Sequence, residues 1–321
     1  MVKWIQENYK PDMTKVPLHF TAEQDGSSVS LVCYDGVDAG DFIDPWCKFD
    51  YSMDGKTWNT YIDQDNEDET LHRGKVINLN KDETVYFRAT LGDVEGNPNL
   101  NGFSREYGMK YHYFVMEGSI KADGNIQFLL ENTGTKMDVP NECYCGMFKY
   151  CTNLTQAPVL PATTLAEYCY SAMFQDCSLT QAPELPATTL ANDCYNNMFS
   201  GCTSLIQAPV LPATNLVDYS YYGMFNGCTN LNNINVNFSA WNPSSATTDW
   251  VLNVSSSGTF TCPADLPEEF EARLAEISWA VSHHLVGASR CVWPGHHQFR
   301  DSALPLRLLP PLLFVQSVLT S

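Results

Sequence analysis

Residues 169–194 read Cys169-Tyr-Ser-Ala-Met173-Phe-Gln-Asp-Cys177-Ser-Leu-Thr-Gln-Ala-Pro-Glu-Leu-Pro186-Ala-Thr-Thr-Leu190-Ala-Asn-Asp-Cys194, so the stretch ends on the cysteine that begins its own next copy. Laid under one another, the copies align on Met147-Phe148, Met173-Phe174, Met198-Phe199 and Met224-Phe225, spaced 26, 25 and 26 residues apart. Between them run Leu154 to Pro161, Leu179 to Pro186 and Leu205 to Pro212, each carrying Gln-Ala-Pro-x-Leu-Pro. In the fourth copy Ser220 replaces the first cysteine of the unit. A period of ~20–29 residues with recurring leucines is the signature of a leucine-rich-repeat coil.

The local pattern predicts how each coil is built. Leu165, Cys169 and Met173 recur at i, i+4 and i+8, which places them on one buried face of a short helix. Thr164, with Glu167 three residues later, has the form of a capping box for that helix. The proline of each Ala-Pro cannot donate to a ladder, so the strand of each coil is short, three or four residues. One coil cannot bury its own apolar face, so the units must stack and the ends must be capped. Trp241, Trp250 and Phe260 are the candidates to close the C-terminal end, where Asn232-Asn233-Ile234-Asn235 replaces the Gln-Ala-Pro signature.

Twelve cysteines are many, but eight lie in the repeats, at helical spacing with Met and Phe. A free cysteine is a small, readily buried apolar side chain, so these read as core rather than as disulfides or metal ligands. Gln156, Gln181, Gln207 and Asn233 recur at the same place in successive units and are the candidate ligand-binding residues. A stacked amide ladder and an exposed binding strip are both open readings of them.

The repeated unit Cys-Tyr-x-x-Met-Phe-x-x-Cys-Thr-x-Leu-x-x-Ala-Pro-x-Leu-Pro-Ala-Thr-Thr-Leu resembles the repeats of BspA-like leucine-rich-repeat surface proteins of Bacteroides-type bacteria. The resemblance covers residues 141–266, because Trp250-Val-Leu-Asn-Val-Ser-Ser-Ser-Gly-Thr-Phe260 is similar to the segment that closes the array in that family. It implies surface display and recognition of host or bacterial ligands, and it carries over no catalytic residue. The short Ile-Pro-x-Gly-Trp ending expected of the family is absent here.

On either side the character changes. Residues 17–136 alternate in period two at Ser28–Cys33, Phe49–Met53, Thr84–Ala89 and Tyr111–Met116, which predicts a β-rich, immunoglobulin-like sandwich. Asp54-Gly55 marks a hairpin turn within it. The acidic run Asp63, Asp65, Glu67, Asp68, Glu69 reads as a solvated loop, since Asp68 occupies the place where a calcium loop needs glycine. From residue 267 onward there is no lysine; a helix-like stretch, Glu268–Ala280, is followed by His283-His284, Cys291, His296-His297 and an apolar Pro/Leu tail. Their spacing matches no zinc-finger pattern, and the tail reads as a disordered or foreign extension that does not pack.

The resulting expectation is an α+β chain. Residues 1–16 lead into a β-sandwich-like domain over 17–136, followed by a solenoid of short parallel strand plus helix per coil over 137–266 and an atypical tail over 267–321. A formal net charge of −19 argues against nucleic acid as a partner. Pro305, Arg307, Pro310 and Pro311 interrupt the apolar C-terminus short of a membrane span, and the first residues contain no signal-peptide core. No nucleophile elbow, phosphate loop or metalloprotease motif is present, and every histidine lies outside the repeats. The reading is a non-enzymatic adhesion protein without a cofactor, secreted or on a cell surface, that binds a protein or glycan ligand. A phage virion or tail-associated host-adhesion protein is the alternative.

Overall fold

The computed structural model describes residues 12–35, 49–61, 71–90, 110–131, 133–266, 280–285 and 288–291. Among them there is no α-helix: three single turns of 3-10 helix accompany fifteen short strands, which gather into three sheets. The expected solenoid of strand-plus-helix coils is therefore overturned. The acidic run at Asp63–Glu69 and the histidines at 296 and 297 lie outside the described residues, as do residues 268–279 of the expected C-terminal helix.

The N-terminal part is β-rich. One sheet contains β1 (His19–Ala22), and a second is built on β2 (Ser27–Asp35). The strands β3 (Phe49–Ser52) and β4 (Asn59–Thr60) form an antiparallel hairpin. Its turn has Gly55 at φ +70°, and the Asp54 carboxylate accepts from the amides of Thr57 and Lys56, which holds its pKa well below the usual range. After β5 (Leu71–Arg73) and β6 (Ile77–Leu79), both paired with β2, comes β7 (Thr84–Ala89), which lies between β1 and β3. The long strand β8 (Lys110–Glu117) covers the other edge of β2, and β9 (Ile120–Asp123) returns beside β1. The sheets share an aromatic core in which Phe20 and Phe87 meet Phe114 at centroid distances of 4.7 and 5.4 Å. Tyr61 stitches them together, its hydroxyl donating to the Lys75 carbonyl and accepting from the Leu31 amide. Residue 74 must be glycine here, since a Cβ would enter the Tyr61 ring.

The repeats stack in register, but as chains of turns. In each unit three residues spaced four apart adopt positive φ: Glu142, Gly146 and Tyr150; Tyr168, Ala172 and Asp176; Asp193, Asn197 and Gly201; Tyr219, Gly223 and Gly227. Such residues cannot continue a right-handed helix. Instead, backbone amides alternate in role. Those of Cys145, Met147, Lys149 and Cys151 close local turns onto Glu142, Tyr144, Gly146 and Phe148. Those of Glu142, Tyr144, Gly146, Phe148 and Tyr150 donate to carbonyls of the next unit at 2.7–3.0 Å. Five such bonds join the second unit to the third, and five the third to the fourth.

This arrangement explains why helices lose. Packed helices stay ~8–10 Å apart, whereas hydrogen-bonded backbones sit ~4.8 Å apart. Only the closer spacing lets the side chains stack as they do here. Tyr144, Tyr170, Tyr195 and Tyr221 form one column at 5.7–5.9 Å, and Phe148, Phe174, Phe199 and Phe225 form another at 5.4–5.8 Å. Leu165, Cys169 and Met173 are buried as the i, i+4 pattern requires. The capping box is absent: Asn141 of the preceding unit accepts the Glu167 amide through its Oδ1, and Thr164 forms backbone bridges to Asp138 and Thr189.

On the other side of the first, third and fourth units lie the strands β10 (Leu154–Gln156), β11 (Gln207–Leu211) and β12 (Asn233–Val236). Beyond them Trp241, Trp250 and Phe260 cluster with Phe238 over the last unit. The parallel sheet continues through β13 (Thr259–Pro263) to β14 (Ala280–Leu285), which turns back as β15 (Ala288–Cys291). The backbone of 280–284 thus pairs with the cap, where the composition suggested that nothing beyond 266 would pack.

Candidate functional site

Three of the four amide residues singled out by the repeat fall in one cross-strand row, Gln181, Gln207 and Asn233. Gln181 and Gln207 come together as a parallel backbone bridge, and both are exposed. Gln156 is paired with Lys121 of β9, and Asn233 is half-buried in register with Gln207 across the β11–β12 ladder. No side-chain hydrogen bond links any of the four, so they are not an amide ladder.

Gln181 and Gln207 instead stand in an open groove of about 490 Å³ between the second and third units. Its walls are the two Ala-Pro-x-Leu-Pro segments: Pro183 and Pro186 on one side, Pro209, Val210 and Pro212 on the other, with Glu184 supplying the one ionisable side chain of the lining. Val210 is 49% exposed, although it belongs to a strand. The chemistry is a rigid apolar surface, since proline rings lose no rotamer freedom on contact, together with two primary amides that both donate and accept.

The groove's origin lies in the 25-residue spacing. In three units the path from the second cysteine to leucine is Cys151-Thr-Asn-Leu154, Cys202-Thr-Ser-Leu205 and Cys228-Thr-Asn-Leu231, but the second unit has Cys177-Ser-Leu179. The longer form makes a tight turn: the amides of Thr152, Thr203 and Thr229 donate to Tyr150, Gly201 and Gly227, and those of Leu154, Leu205 and Leu231 to the preceding cysteine carbonyl. The second unit has one residue too few for that turn and takes a shorter path onto the face. The 25-residue spacing is visible in the sequence, but the exposure of Pro186 and Val210 on this face is not.

Seven of the eight repeat thiols are buried, whereas Cys145, expected in the core with them, is half-buried. Cys177, Cys202 and Cys228 lie against the carbonyl oxygens of Phe148, Phe174 and Phe199 at 2.9–3.0 Å, each thiol donating to the previous unit. Burial pushes the Cys194 and Cys202 thiols up to about 12, and those of Cys169, Cys177 and Cys228 also rise. No cluster of three or more potential metal ligands occurs among the described residues. No helix among them is long and apolar enough to cross a membrane. Comparison of the chain with protein-family models, with curated proteins and with solved structures returned no match.

Proposed function

We propose that this chain is a non-catalytic binding protein of a cell surface, and that the groove between its second and third repeat units receives the ligand. The observation that carries the reading is the groove itself: rigid proline walls, an exposed Val210 and the exposed side chains of the backbone-bridged Gln181 and Gln207 at one break in an otherwise regular stack. Concave, mostly apolar surfaces with a few fixed polar groups are where proteins hold small or extended ligands. The ligand class is an extended protein segment or a glycan, whose backbone amides or hydroxyls the two glutamines would meet. The likeness of the repeats to BspA-like surface proteins supports display outside the cell.

A combined array of glycans and extracellular-matrix proteins, probed with the full chain and with Val210→Arg, tests this. The substitution places a bulky charge in the groove at an exposed position, so folding should survive. A ligand retained by the full chain and lost by the variant supports the reading; equal binding by both would remove the groove from the function.

A further inference from the structure

The stack is asymmetric in how its two faces are tied. On the turn face, five backbone hydrogen bonds cross every boundary from the first unit to the fourth, and the short unit does not interrupt them. On the strand face the ties are uneven. The first unit's strand segment belongs to the N-terminal part: β10 pairs with β9, and Val159 exchanges hydrogen bonds with Gly124 and Ile126. The third unit's segment belongs to the C-terminal part, with β11 paired to β12 and flanking bonds from Asn232 to Ile206 and from Asn237 to Leu211. Between them, residues 178–187 are tied to a neighbouring unit by the single bridge Gln181↔Gln207, and the next bridge is at Thr164↔Thr189.

We propose that the short second unit is a compliant joint: the strand face opens and closes at residues 178–187 about the continuous turn ladder, which serves as its spine. Opening the groove there disrupts one backbone bridge. Opening the next boundary would disrupt the three-residue register of β11 on β12 and its two flanking bonds. The segment stays attached as it moves, because Leu179, Leu185 and Ala187 remain buried in the common core. The missing residue between Cys177 and Leu179 is thus the determinant of both the groove and its mobility. Local opening of this kind is governed by the few bonds that must break, and it can proceed without unfolding the rest.

Hydrogen exchange followed by mass spectrometry on the full chain reads this directly, whatever the groove binds. Amides of residues 179–185 should exchange on the order of tenfold or more faster than those of 207–211 and 233–236. Inserting Asn between Ser178 and Leu179, which restores the spacing of the other units, should slow that exchange and leave the turn-ladder amides of 193–201 unchanged. The converse deletion of Ser204 should transfer fast exchange to 205–211. Equal protection of the three segments in the unaltered chain would overturn the proposal even if neither variant folded, and so would an insertion variant that folds and exchanges as before.

Discussion

The Cys151 thiol donates to the backbone carbonyl of Phe114, 3.2 Å away, and so makes across the junction with the N-terminal sheets the contact that Cys177 makes with Phe148 inside the stack. Phe114 completes the imitation. Its ring stacks on Phe148 at 5.6 Å and 15°, and its amide donates to Met147, as the Phe148 amide donates to Met173. Strand β8 therefore presents itself to the first repeat as a preceding unit, and the two parts share one core.

From this junction it follows that the repeats are not independent of the β-rich part. Phe114→Ala removes a buried ring from the shared core and should cost ~3–5 kcal/mol. Urea unfolding should remain a single transition when followed by probes in either part. Two separated transitions would show that the junction transmits little.

Buried thiols make stability depend on pH in a defined sense. Cys151, Cys194 and Cys202 titrate near 12 when folded, against 9.0 ordinarily, because burial disfavours the thiolate. Only the unfolded chain can ionise them at intermediate pH. Their contribution is therefore complete below about pH 9 and is lost as pH rises toward about 12, each thiol shifting the equilibrium about tenfold per pH unit in that window. Urea midpoints should fall steeply above pH 9. Cys194→Ser should soften the fall, and the site should accept it: Ser220 occupies the same place in the fourth unit, its hydroxyl donating to Val217. A midpoint flat to pH 11 would contradict the buried, free state of these thiols.

The positive-φ positions separate two effects. Ala172 sits at φ +52°, so Ala172→Gly should stabilise by about 1 kcal/mol. At the equivalent Gly223, φ +56°, a Cβ would also enter the Asn197 amide oxygen, and Gly223→Ala should cost ~1–3 kcal/mol. Gly146 has the same backbone but no Cβ contact nearer than 3.9 Å, so Gly146→Ala should show the backbone cost alone. Thermal unfolding should rank Ala172→Gly highest, Gly146→Ala next and Gly223→Ala lowest.

Those same positions mark where the sequence was legible and where it was not. The repeat, its buried Met-Phe and Cys-Tyr pairs and the tryptophan cap are all visible as apolar periodicity, because burial leaves a trace in residue type. A helix and a chain of four-residue turns bury the same i, i+4 positions, so that periodicity could not tell them apart. The discriminating trace was Gly146, Asn197, Gly201, Gly223 and Gly227 at fixed offsets inside the supposed helix, where glycine is a poor choice. For the site, Gln181 and Gln207 could be found from the repeat alone. The neighbour of Gln156 could not, since Lys121 reaches it through a long-range strand pairing that no local pattern encodes.

The strand edge beyond the cap yields the last expectation. Composition alone suggests that residues past 266 contribute nothing, and in that case a chain ending at Leu266 would melt with the full one. The backbone argues otherwise: Thr259 to Pro263 pair residue for residue with Ala280 to His284 in a parallel ladder, and β15 folds back on β14. Removing that strand leaves the hydrogen-bonding groups of β13 as an open edge beside the buried Phe260 and Cys262. An unpaired, regular edge is a template for another chain. Truncation after Leu266 should therefore lower the melting temperature by several degrees, a loss of ~1 kcal/mol or more, and should promote concentration-dependent association visible by light scattering. Truncation after Cys291, which keeps both strands, should do neither. If both truncated chains melt with the full one and stay monodisperse, the pairing of β14 with the cap contributes no stability and the composition was the better guide.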